Sequence, residues 1–268
     1  MQERFIDGPA GRLRLLAWAG PGNGRTLLLL PGLTCHAHYF DGIAPALTDR
    51  FDVYALDWRG HGASDPAPTY GFADYDADLQ AAVRALAPRE LVLAGHSLGG
   101  YVALRYAGDP TAPLLPTFVV AADVKTDASP EELAGAARAA AKPQPVFASL
   151  DALQARLRAT MPDTSAPDET LRQIAESGAR EEEDGGWSFV YDRAALAIEP
   201  VDPFAFAGAV CVPVLVVHGD RSTVMDAAAA ERLAQALPAG RWQTIADAGH
   251  HVFLDQPAAF IEVLRSAP

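Results

Sequence analysis

The residues best placed to do chemistry are Gly95-His96-Ser97-Leu98-Gly99, a G-x-S-x-G pentapeptide. It follows the short apolar run Leu91-Val92-Leu93-Ala94 and precedes Leu98, Val102 and Tyr106, which recur at helical spacing. A strand that turns directly into a helix must bend sharply. The residue at the apex is then held in a strained backbone conformation, and side chains two positions to either side would clash. Glycines at 95 and 99 meet that demand. The turn presents the Ser97 hydroxyl at a helix N-terminus, where backbone N–H groups favour a developing negative charge. The alternative is that Ser97 merely caps the helix. The strand–turn–helix context favours a nucleophile.

A serine hydroxyl needs a base to attack at neutral pH. Ala248-Gly249-His250-His251 lies after the late strand Trp242 to Ile245 and before a final helix at Pro257 to Arg265. Open α/β sheets place their sites at the carboxyl ends of the strands, and this loop is at such an end. His250 is therefore the candidate general base. His36 and His38 read first as hydrogen-bonded loop histidines near the site. His96 reads as a packing residue beneath the turn and His61 as part of a structural loop. Cys35 reads as a free structural thiol. Trp187 and Tyr191 read as core of an insertion rather than as a substrate platform.

The elements that position these residues alternate along the chain. Two short strands are expected between residues 3 and 19, around Asp7-Gly8-Pro9-Ala10-Gly11. Thr26 to Leu30, Phe51 to Leu56, Thr117 to Ala122 and Val214 to Val217 are apolar runs of buried-strand length. A short helix is expected from Ile43 to Leu47. Phe72, Tyr75, Leu79, Val83 and Leu86 share one face of a long helix. A last helix–strand pair is expected at Ala227 to Leu237 and Trp242 to Ile245. Such alternation implies a mostly parallel sheet with right-handed crossovers. It stops between about Lys125 and Val210, where no strong buried-strand signal appears. Glu131 to Ala141, Leu150 to Met161 and Asp168 to Ser177 look helical there. The acidic run Glu181-Glu182-Glu183-Asp184 reads as a solvated helix end, and Gly185 to Tyr191 as a short extended piece. The expected division is a core of residues 1–123 and 211–268 with an inserted unit at 124–210.

With 268 residues, half of them hydrophobic, the chain can bury a large core. Its net charge of −13 argues against nucleic acid and anionic membrane surfaces as partners. No run is long and apolar enough to span a bilayer. The first residues lack a basic segment followed by an apolar one, and the two cysteines, Cys35 and Cys211, show no framework spacing. A reduced, cytoplasmic setting is expected, with no metal and no cofactor. The partner is a small-molecule substrate, and the chain is a monomer or a homodimer.

The pentapeptide, the late histidine loop and the order serine–acid–histidine resemble the α/β-hydrolase family. LLLLPGLTCHAHYF is similar to its oxyanion segment, Asp57-Trp58-Arg59-Gly60-His61-Gly62-Ala63-Ser64 to its structural D-x-R-G-x-G-x-S loop, and AGHHVFLDQP to its final histidine segment. The resemblance implies an eight-stranded sheet flanked by helices, with the insertion as a helical cap. The spacing to Pro257 matches His250 rather than His251. The oxyanion donors are then the N–H groups of Leu33 and Leu98, although Pro31 stands where the family usually has a buttressing histidine. The acid is also displaced. Its common position, the third residue after Gly219, is Ser222. Some members carry it instead at the end of the strand before the cap, where this chain has Asp123. Asp220 and Asp226 are the alternatives.

The expected activity is a cofactor-independent serine hydrolase that cleaves a carboxylic ester, thioester or lactone through an acyl-enzyme on Ser97. The same residues could serve C–C bond hydrolysis, perhydrolysis or acyl transfer. A low-turnover ligand receptor on this scaffold is the reading from another class. The fold does not choose a substrate.

Overall fold

In the computed structural model, which describes residues 1–268, six of the eight strands of the chain's one large sheet run parallel, as one block that reaches its edge. The first two strands, β1 (Gln2–Gly8) and β2 (Gly11–Trp18), form an antiparallel hairpin. Then come β3 (Arg25–Leu30), β4 (Asp52–Leu56), the long helix α1 (Phe72–Leu86), β5 (Glu90–His96), α2 (Leu98–Ala107) and β6 (Phe118–Ala122). The insertion carries α3 (Pro130–Ala140), α4 (Leu150–Thr160), α5 (Asp168–Ser177), β7 (Ala179–Glu181), β8 (Trp187–Phe189) and α6 (Phe204–Ala207). The chain closes with β9 (Val214–Gly219), α7 (Ala227–Ala236), β10 (Gly240–Ile245), α8 (Val252–Asp255) and α9 (Pro257–Arg265).

The eight-stranded order is β1-β2-β4-β3-β5-β6-β9-β10, and every pair from β4 to β10 is parallel. Successive side chains of a strand point to opposite faces. Leu27 and Leu29 accordingly join one apolar cluster, while Leu28 and Leu30 join the other. The two clusters hold 37 and 36 buried residues, so helices cover both faces of the sheet about equally. That double burial is why the central strands read as unbroken apolar runs. β6 pairs directly with β9, Val119 facing Val214, so the insertion leaves and re-enters the sheet between neighbouring strands.

One expectation needs correction. The acidic run is not a helix end. α5 stops at Ser177, and Glu182 to Asp184 form the turn of the β7–β8 hairpin. The extended piece expected there is β8, paired with β7, so the insertion contains strands as well as helices. Each strand is three residues long, too short for a periodic signal. The short helix expected from Ile43 to Leu47 is a 3₁₀ helix over residues 44–47, with Pro45 near its start. The four-residue helices α6 and α8 also escaped the sequence pattern.

Candidate active site

The turn between β5 and α2 holds Ser97 at φ +51° and ψ −116°, a conformation that side chains rarely adopt. The neighbouring glycines explain how the chain tolerates it. A Cβ on Gly95 would lie 2.2 Å from the Gly99 carbonyl oxygen, and one on Gly99 would lie 2.2 Å from that of Leu30. The Ser97 hydroxyl makes no capping hydrogen bond to α2, which removes the helix-cap reading.

His250 emerges from the loop after β10 and lines the same cavity as Ser97. Its Nδ1 lies 2.7 Å from Asp123 Oδ1. A carboxylate only accepts, so Nδ1 carries the proton and Nε2 is left as the basic nitrogen. The backbone of His250 is also held. Its carbonyl accepts from His96 Nε2 at 3.1 Å, and its N–H donates to Asp163 Oδ2 at 3.1 Å. The His96 ring packs 4.4 Å from the His250 ring, centroid to centroid.

Asp123 follows β6 at φ +49° and is fully buried. Its Oδ2 accepts the Gly219 N–H at 3.2 Å, and its Oδ1 accepts the Ser222 hydroxyl at 2.6 Å as well as His250. Ser222 thus stands where the family usually has its acid and donates to the carboxylate that faces the histidine. The Ser222 oxygen in turn accepts from the N–H groups of Val224 and Met225 at 3.1 and 3.3 Å. Asp220 is exposed, and its Oδ1 accepts only from the Ala248 N–H, at 3.3 Å. Asp226 caps α7 through the Ala229 N–H at 2.7 Å. Neither of these two carboxylates contacts His250. Replacing Ser222 by alanine is expected to lower kcat about tenfold, the worth of one hydrogen bond to a charged group. KM should stay near its original value. A wild-type kcat for Ser222→Ala would show that the hydroxyl only orders its own loop.

The N–H groups of Leu33 and Leu98 have no acceptor within the protein. Both residues line the space beside Ser97. The segment bearing Leu33 lacks a buttressing histidine at Pro31. The Trp58 indole N–H supplies support instead, donating to the Pro31 carbonyl at 2.8 Å. Trp58 belongs to the loop built on Asp57. That buried carboxylate accepts from Ala37 N–H at 2.7 Å, Ala63 N–H at 2.9 Å and Arg14 Nε at 2.6 Å. His61 is tied to the Arg59 carbonyl at 2.9 Å within this loop.

A cavity of about 260 Å³ opens at Ser97 beneath the insertion. His36, Tyr191 and His251 line it, so Tyr191 faces the cavity rather than the interior of the insertion. Trp187 packs against the main core. His38 bonds Asp41 at 2.9 Å and lies outside this cavity. Burial pushes the Cys35 thiol up to about 12, so it remains protonated despite lying 4.0 Å from His251 Nε2. Burial pulls His36 down to about 4 and His251 to about 3, which keeps both uncharged. A second chamber of about 180 Å³ shares Leu33, Ser97 and His250 with the first and is walled by Phe72, Tyr101 and Val224.

Sequence reasoning missed Asp163. Its Oδ2 accepts the N–H groups of both His250 and Thr223, at 3.1 and 3.0 Å. Nearby, Asp255 accepts the Ser165 N–H at 2.9 Å and the Gly249 N–H at 2.7 Å, and it also bonds the Thr164 hydroxyl. The insertion is thereby pinned to the histidine loop. No local pattern marks a carboxylate whose partners are backbone amides 60 and 87 residues away.

A family model described as alpha/beta hydrolase fold matches residues 25–257. The chain belongs to this family. It is 33% identical over 237 residues to a 2-(acetamidomethylene)succinate hydrolase from Mesorhizobium japonicum, covering 86% of this chain and 83% of that one. A pimeloyl-[acyl-carrier protein] methyl ester esterase from Chromobacterium violaceum is 29% identical over 258 residues, 91% of this chain and 94% of that one. The crystal structure of an E-2-(acetamidomethylene)succinate hydrolase superposes with a TM-score of 0.86 at 29% identity, covering 99% and 98% of the two chains. The protein is an enzyme, a hydrolase of the α/β-hydrolase fold. No helix is long and apolar enough to cross a membrane.

Proposed function

We propose that this hydrolase cleaves a carboxylic ester, thioester or lactone through an acyl-enzyme on Ser97. His250 Nε2 takes the serine proton as Oγ attacks the carbonyl carbon. The Leu33 and Leu98 N–H groups receive the oxyanion. The protonated histidine then gives its proton to the leaving group. Water, deprotonated by the same nitrogen, attacks the acyl carbon and releases the acid. Asp123 holds the imidazole in the required tautomer and stabilises its charged form. Residues 124–210 act as a cap that covers the reacting carbonyl and shapes the pocket.

The observation that carries the reading is the 2.7 Å contact of a fully buried carboxylate with His250 Nδ1, on a histidine that shares its cavity with a strained, uncapped serine. A merely structural serine would gain nothing from that strain. The test is a fluorophosphonate probe, whose phosphorus the activated hydroxyl attacks with loss of fluoride. Mass spectrometry should find the adduct on the peptide carrying Ser97, with no labelling of Ser97→Ala. An adduct at another residue, or none, would refute covalent catalysis at Ser97.

A further inference from the structure

The cavity beneath the cap is bordered by 19 residues, and none of them is Asp, Glu, Lys or Arg. Four are histidines. His96 is held well below its ordinary value by burial and by the neighbouring rings of His250 and His251. His36 and His251 are uncharged for the same main reason, burial. Arg180 and Arg193 border the groove behind the Phe189–Tyr191 wall and are already engaged, while Arg156, close enough to act on Tyr191, is exposed and outside the cavity lining. Arg180 pairs with Glu182 at 3.0 Å, and Arg193 donates through Nε to the Ala139 carbonyl at 3.0 Å. The second chamber contains one cation, Lys125, whose ammonium is 2.7 Å from Glu132 and so is neutralised. A carboxylate entering either chamber would lose its water and meet no unpaired cation in the chamber lining. The net charge of −13 also opposes the approach of an anion.

We propose that the substrate of this site is uncharged on both sides of the scissile bond, so that the enzyme rejects acids of the kind named for its 2-(acetamidomethylene)succinate hydrolase relative. The proposal rests on the serine-hydrolase reading above and adds the substrate class. It follows from the walls of the two chambers rather than from the reacting residues. A relative that names a succinate in its substrate must meet that charge somewhere, and this chain offers no unpaired cation among the residues that line either chamber.

Methyl succinamate and monomethyl succinate test it. The two esters have nearly the same size and shape and differ in a terminal amide against a terminal carboxylate. Methanol release should give a kcat/KM at least about 100-fold higher for the amide, or about 2.7 kcal/mol at 1.36 kcal/mol per factor of ten. Methyl butyrate should resemble the amide more than the acid. Equal turnover of the acid, or a preference for it, overturns the proposal. p-Nitrophenyl butyrate is the separate control for the serine-hydrolase reading. If that reading fails and no ester turns over, calorimetry on the Ser97→Ala protein still decides the matter. Binding of methyl succinamate without monomethyl succinate supports an uncharged site, and tighter binding of the acid refutes it.

Discussion

Replacing Ser97 by alanine is expected to lower kcat on an activated ester by on the order of 10⁶-fold, the loss seen when a triad nucleophile is removed elsewhere. The fold should survive. The hydroxyl does not cap α2, so its loss strands no partner there. Alanine needs the same φ of +51°, which Gly95 and Gly99 continue to permit sterically. The unpaired Leu33 and Leu98 N–H groups and the cavity remain, so a residual rate above that of water is expected. Thermal melting should match the wild type within a few degrees while kcat collapses. A variant that keeps near wild-type kcat would eliminate Ser97 as the nucleophile.

The second large effect is expected at Asp123. Asp123→Asn should lower kcat by up to about 10⁴-fold, as such a substitution does in another triad. Three donors converge on this carboxylate: His250 Nδ1, the Ser222 hydroxyl and the Gly219 N–H. A carboxamide offers them one oxygen. Its NH₂ must then face a donor, or it turns to His250 and favours the wrong tautomer. Either outcome misplaces the basic nitrogen. Asp220→Asn should change kcat by less than about threefold, since that exposed side chain reaches only the Ala248 N–H. Measuring both variants on one ester separates them. A dead Asp220→Asn beside an active Asp123→Asn would reverse the assignment.

Legibility in the sequence followed from how strictly physics constrains each position. The turn at Ser97 was legible because its sterics demand glycine on both sides. The strands β3, β5, β6 and β9 were legible because burial on two faces leaves an unbroken apolar run. Of the β7–β8 hairpin only β8 was legible, as an extended piece; β7 is three residues long with two of them exposed, and the acidic turn after it is a pattern that helices also show. The candidate acid was legible only as a short list. What distinguishes Asp123 from Asp220 is a backbone turn at φ +49° that no residue type there announces. Asp163 and the Ser222 contact lie deeper still, since both arise from loops brought together across the end of the sheet.

The pinning of residues 163–165 to the histidine loop gives the insertion one of its moorings on the core. Asp163 and Asp255 tie that segment to the amides of Gly249 and His250. The helix α3, at the other end of the insertion, buries none of its residues. Through Ala139 it meets Arg193, next to a segment that is itself bonded to the core: the Asp192 N–H donates to the Gly60 carbonyl at 2.7 Å, and the Phe72 N–H donates to Glu199 at 2.6 Å. The insertion is thus moored on two flanks of the site, and a displacement of residues 163–165 would carry with it the amides of the loop that bears His250.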